Sequence, residues 1–184
     1  MPRFHVFHAA FAFVGLAFCS IVAHGQQESL EGVVAVVNTD VVTFSQVREL
    51  AEPKERQAHE TLRGDELVQK IKEIRLQELN DLIDRALIIQ EFKATGRAIP
   101  ESLVDDRIAA IVRDEFGGDE KAFLHHLKAQ GDTLERFRNM QRDVVAVSVM
   151  LEQVTKGLTD QSERQQREQA WLQMLHAKAF IKVY

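Results

Sequence analysis

Seven histidines, one cysteine and 28 carboxylates are the side chains in this 184-residue sequence best equipped to hold a metal or move a proton. The most visible pair is His125-His126. Adjacent residues on a helix point about 100° apart, so the two rings do not converge on one ion. They read as surface histidines. His59 and His176 have no cysteine or carboxylate at a recognisable ligand spacing. Ser148 lies within an apolar face and lacks a G-x-S-x-G setting, so it reads as a packed helical serine. The acidic pairs Asp105-Asp106 and Asp114-Glu115 read as solvated helix faces, with nothing to mark a general acid and base. Gly117-Gly118 lacks the Lys-Ser/Thr of a phosphate loop. The expectation is a chain with no catalytic residue, no metal site and no cofactor.

What remains is a chemistry of surfaces. Arg136, Arg138 and Arg142 form a modest basic cluster. Arg138 and Arg142, four apart, share a helix face, where pairing with the chain's own glutamates is expected and contact with an external anion is the alternative. Phe116, Phe123, Phe137, Met140 and Met150 are large, and the methionines are adaptable. Together with Leu127 they are the candidate set for a surface that accepts varied apolar segments. Core packing is the competing reading for each.

The amino terminus addresses the chain. Arg3 is the only strong charge in the first 27 positions, and Ala9 to Ala23 is apolar except for Ser20. Ala23-His24-Gly25 then offers small residues at the two positions signal peptidase reads. So short a run before such a site predicts a cleaved secretory signal over residues 1–25, with cleavage after Gly25. An uncleaved anchor is the alternative; Phe18 before Cys19 disfavours a lipoprotein. Cleavage leaves residues 26–184, the size of one domain without cysteine and with no stable membrane span. Losing Arg3 takes the formal charge from −5 to −6, which disfavours nucleic acid as a partner.

Strand and helix signals position these residues. Val33–Val37 and Val41-Val42, β-branched and separated by Asn38-Thr39-Asp40, predict a hairpin. Thr43 with Gln46 predicts a capping box and a helix from about Phe44, in which Pro53 either makes a kink or opens a second segment. The longest helix is predicted from about Asp65 to Thr95, closed by Gly96. Pro100 opens a third that stops at Gly117-Gly118, and Asp119 caps a short fourth that stops at Gly131. Asp132 with Glu135 predicts the start of a fifth, with Leu134, Phe137, Met140, Val144, Val147, Leu151 and Val154 on its apolar side. After a connector, Lys156 to Gln161, Ser162 with Gln165 predicts a last helix bearing Trp171, Met174 and Leu175. The alternating Ala179–Tyr184 predicts a strand. A lone hairpin leaves an open edge, so this strand is expected beside Val33–Val37.

These elements resemble a known family. Val33-Val34-Ala35-Val36-Val37-Asn38 followed by Val41-Val42-Thr43 resembles the opening of the SurA and parvulin-associated chaperones. Leu79 to Gln90 (LNDLIDRALIIQ) resembles their long central helix. Phe123, Leu127 and Gly131, then Phe137-Arg138 with Arg142, resemble their following segment, and Trp171-Leu172 with Ala177 to Tyr184 resembles the helix and strand that complete the chaperone module. The resemblance implies a mainly α fold: an orthogonal multi-helix domain with a small sheet from the N-terminal hairpin and a C-terminal strand. In related chaperones, parvulin isomerase domains lie between the fifth helix and the last. Here that gap is far too short for a domain of about 90 residues.

The implied function is an ATP-independent periplasmic chaperone. Its partners would be unfolded or nascent exported polypeptides, outer-membrane proteins in transit among them. The alternative is a non-catalytic assembly module with one specific partner, or a swapped homodimer; a prolyl isomerase ranks last.

Overall fold

The β-branched run Val33–Val37 forms strand β1, and Asp40–Thr43 forms β2 antiparallel to it. The computed structural model describes residues 32–184, so the predicted signal segment and Cys19 lie outside the described residues. Asn38 and Thr39 make the turn, and Asn38 takes a positive φ of 54°, a conformation asparagine tolerates better than most residues. Ala35 and Val37 point inward and are fully buried, as the two-residue strand period requires.

Thr43 caps helix α1, Phe44–Thr61, through the predicted capping box with Gln46. The helix runs on through Pro53, which settles the two alternatives in favour of one continuous segment. Helix α2, Gly64–Ala94, is 31 residues long, about 46 Å at the helical rise. Gly96 follows it with a φ of 68°, and Pro100 is the N-cap of α3, Glu101–Phe116. Asp119 caps α4, Glu120–Ala129, accepting from the Ala122 N–H as expected.

Three local expectations shift. The cap of α5, Leu134–Val154, is Thr133 rather than Asp132. The Asp132 carboxylate instead accepts from the Thr133 N–H and pairs with Arg136, leaving the Thr133 hydroxyl to accept from the Arg136 N–H. Likewise Asp160, not Ser162, caps α6, Gln161–Lys178, because its carboxylate reaches the Glu163 N–H and starts the helix ahead of Ser162. On α5 the buried side chains are Gln141, Val145, Ala146 and Met150, not the stripe beginning Leu134, Phe137, Met140. The helix packs on α3, α2 and α6, so its buried face is wider than one stripe and rotated from it.

The last strand, β3 at Ile181–Val183, pairs antiparallel with β1, giving the order β2-β1-β3. The predicted mainly α fold with a three-stranded sheet built from both ends is thus observed. Its main core joins Ala35, Val37, Val42 and Val47 to Ile83, Leu87, Ile88 and Phe92 of α2, then to Val104, Val145, Ala146, Met150 and Leu175. Asn38 ties the sheet to this core. Its N–H donates to the Phe180 carbonyl and its Oδ1 accepts from the Phe180 N–H, both at 2.8 Å. Its Nδ2 donates to Gln90 of α2, whose own amide donates to the Val37 carbonyl and the Asp40 carboxylate.

Two terms separate at Asn38. Alanine there loses the side-chain bonds and is strained at positive φ, whereas glycine loses the bonds alone. Urea unfolding should place Asn38→Ala about 2 kcal/mol below the parent and Asn38→Gly about 1 kcal/mol below it. Equal stability of all three would show that this junction carries no weight.

Candidate functional site

Two tight reversals fold α3, α4 and α5 into a small lobe. Gly117 ends α3 in the left-handed conformation, with Gly118 donating back to the Val112 carbonyl. Gly131, also at positive φ, ends α4, and Asp119 and Thr133 restart each following helix. The result is an apolar cluster of Val112, Phe123 and Leu127, flanked by Ile108, Phe116 and Phe137. The Phe123 ring stands edge-on to Phe116 at 5.5 Å and to Phe137 at 5.2 Å between centroids. Edge-to-face geometry sets the positive rim of one ring against the negative face of the next.

Four of the six candidate binding residues therefore meet in one place. Within it Phe123, at 2% exposure, and Leu127 are interior, while Phe116 and Phe137 are half-buried. Met140 stands 44% exposed on α5, and Met150 lies in the main core. Leu124 and Leu134, each exposed by two-fifths, add large apolar groups on α4 and at the start of α5, and Leu103 does so on α3. Sequence reasoning did not single out these three. Leu134 is the first residue of its helix.

An ionic clamp holds the lobe's seam. Arg138 donates to Asp105 and Glu101, and Arg142 donates to Glu101 and Asn139, so the two arginines of α5 grip α3 as the pairing expectation required. The Arg142 guanidinium, and then that of Arg138, hold the Glu101 carboxyl below the usual glutamate range. Asp105 and then Glu101 raise Arg138 in turn. Beside the clamp, Arg107 donates to the buried Gln141 amide at 2.8 Å.

A second apolar surface lies between α1 and the first half of α2. Ala51, Ala58 and Ile74 form its centre, with Leu62 and Leu67 packed against them. Arg75 grips Glu55 with two hydrogen bonds, and Lys54 pairs with the buried Glu78, which raises the lysine's pKa. A cleft of about 680 Å³ opens between the helices, floored by Ala58, Leu62 and Ile74 and edged by Lys54, Lys70 and Glu73.

The chemical candidates set aside from sequence stand as follows. His125 and His126 are both exposed, and His126 lies against the Phe116 ring at 5.5 Å. The Ser148 hydroxyl donates to the Val144 carbonyl within its own helix. His176 does have a carboxylate neighbour, Asp84 of α2 at 2.5 Å, brought to it from 92 residues away. Among the described residues no group of three or more His, Cys, Asp or Glu is placed to hold a metal, and no helix is long and apolar enough to cross a membrane.

Because Glu101 titrates lower in the folded chain, the clamp stabilises the fold above the unfolded glutamate value of about 4.3 and loses that contribution as pH falls through the lowered folded value. The stability advantage of the parent over Glu101→Gln should thus hold steady from pH 7 to 5 and shrink below about pH 4. An advantage that grew on acidification would contradict the pairing.

The SurA-like N-terminal domain family matches residues 3–151, which end within α5, so α6 and β3 lie beyond the matched span. Foldase protein PrsA of Clostridium kluyveri, in two strains, is 25% identical over 153 residues, covering 77% of this chain and 45% of the relative. The chain thus spans less than half the length of the curated relatives it matches. With the family match covering most of the chain, and the first and last described strands paired in one sheet behind a long central helix, the protein belongs to the SurA-like N-terminal domain family.

Proposed function

We propose that this protein is an ATP-independent chaperone that holds unfolded, extended polypeptides after export. The observation that carries the reading is the exposure of large apolar side chains on the α3–α4–α5 lobe, in a chain of this family. Leu134 and Met140 stand exposed on α5 three residues to either side of Phe137, which flanks a cluster whose interior, Phe123 and Leu127, is already packed. A client side chain can bury itself against them without opening the domain. Methionine adapts to side chains of different shape, which suits clients of no fixed sequence.

Each exposed side chain contributes only part of the roughly 25 cal/mol per Å² available, and an extended client loses conformational entropy on binding. Affinity is therefore modest, and release follows from dissociation rather than nucleotide hydrolysis. The net negative charge keeps a loaded complex soluble.

The foldase name of the relatives supports a role in folding but does not assign isomerase chemistry, since the match covers under half of each relative. Residues 155–160 alone join α5 to α6, where related chaperones carry an isomerase domain. The apolar run at residues 9–23 and the small-residue site before Gln26 support export to the periplasm, with outer-membrane proteins in transit as clients. The alternative is an assembly module in which the terminal strands and the long helix α2 exchange between two copies, giving a swapped dimer.

The purified protein, in several-fold molar excess and without nucleotide, should suppress light scattering when a urea-unfolded outer-membrane protein is diluted into buffer. Replacing both Leu134 and Met140 by serine should raise the concentration needed by about tenfold, with the unfolding midpoint little changed. Absence of suppression by the parent protein contradicts the reading.

A further inference from the structure

A cleft of about 680 Å³, separate from both apolar surfaces, gathers three cations from three parts of the chain. Arg97 comes from the α2–α3 connection, Lys156 from the turn after α5, and Arg164 from the first turns of α6. Glu152 is the single carboxylate among the lining residues. The cluster is unusual in a chain whose formal charge is −5.

Among the described residues, none of its cations is paired with a carboxylate. Four other arginines of this half of the chain are paired with carboxylates: Arg113 with Asp114, Arg136 with Asp132, Arg138 with Asp105 and Arg142 with Glu101. Arg97 meets only the neutral Gln153 amide, at 2.7 Å. Among the described residues, Lys156 and Arg164 have no side-chain partner. Half-buried Val149 and Leu158 supply apolar walls beside them.

The geometry points to a binding site for a carboxylate carried on an extended polypeptide, gripped by Arg97, Lys156 and Arg164 while Val149 and Leu158 receive a neighbouring apolar side chain. Charge-assisted hydrogen bonds to a carboxylate are the strong ones, and a guanidinium fits it with two parallel donors. The mixed lining favours a peptide over a free inorganic anion, and the overall negative charge disfavours nucleic acid. This inference rests on the holdase reading, and it gives that reading a polar anchor in addition to apolar contacts. The carboxylate is either a chain terminus or an acidic side chain.

Three fluorescein-labelled decapeptides of alternating phenylalanine and serine distinguish these sources: one with a free C-terminal acid, one amidated, and one amidated with a single internal glutamate. Fluorescence anisotropy on the purified protein should show the free-acid or glutamate peptide binding about tenfold more tightly than the plain amide. That advantage should fall with added salt and vanish in the double variant Lys156→Gln/Arg164→Gln. Among the described residues neither side chain has a side-chain partner, so the variant's unfolding midpoint should match the parent's. Equal binding of all three peptides, or an advantage that survives in the double variant, overturns the carboxylate site and leaves the holdase reading standing. Failure of every peptide to bind overturns both.

Discussion

The paired hydrogen bonds between Asn38 and Phe180 join residues 142 positions apart, and the rest of the structure depends on that closure. Without it, β1 has a partner on one side only, and the sheet presents an open edge above the core. Loop-closure entropy rises slowly with length, by about 0.6 kcal/mol per doubling, so the wide separation is tolerable. A three-residue strand nevertheless makes few bonds of its own. Burial of Leu175, with half-buried Trp171, Leu172 and Ile181, offsets the remaining cost. The last helix and strand are thus part of the core, although the family match ends within α5.

That closure leaves α2 as the spine of the molecule. Its second half is buried in the main core, whereas its first half meets α1 through Ala51, Ala58 and Ile74. The α3–α4–α5 lobe keeps a third, smaller cluster around Phe123. Small separate clusters open and repack at lower free energy than one large core. A surface that accepts varied unfolded segments is therefore best placed on such a lobe, with β1 and β3 locked together elsewhere.

Much of this was legible in the sequence because local chemistry dictated it. Thr43 with Gln46, Gly96, Pro100, Gly117 and Asp119 each mark a boundary through a cap or a φ that few other residues satisfy. The β-branched residues at both ends marked the sheet. Adjacent capping residues were harder: Asp132 and Thr133 both qualify, and only the position of Arg136 decides between them. The buried face of α5 was misread because three neighbours share it. Packing also separated the large apolar residues, placing Met150 in the core and Met140 at the surface of the same helix. The His176–Asp84 pair and the Arg97, Lys156 and Arg164 cleft join distant segments, and no spacing rule reveals them.

The central claim is that unfolded chains bind at the exposed fringe of the α3–α4–α5 lobe. Its most direct test places a photo-crosslinking residue at Met140 and, separately, at Glu168 on α6. Each labelled protein is mixed with a purified, urea-unfolded outer-membrane protein diluted from denaturant. The account predicts a covalent adduct from position 140 that an excess of unlabelled unfolded chain competes away and a folded protein does not. It predicts little adduct from position 168. Equal adducts from both positions, or none from position 140, would contradict it.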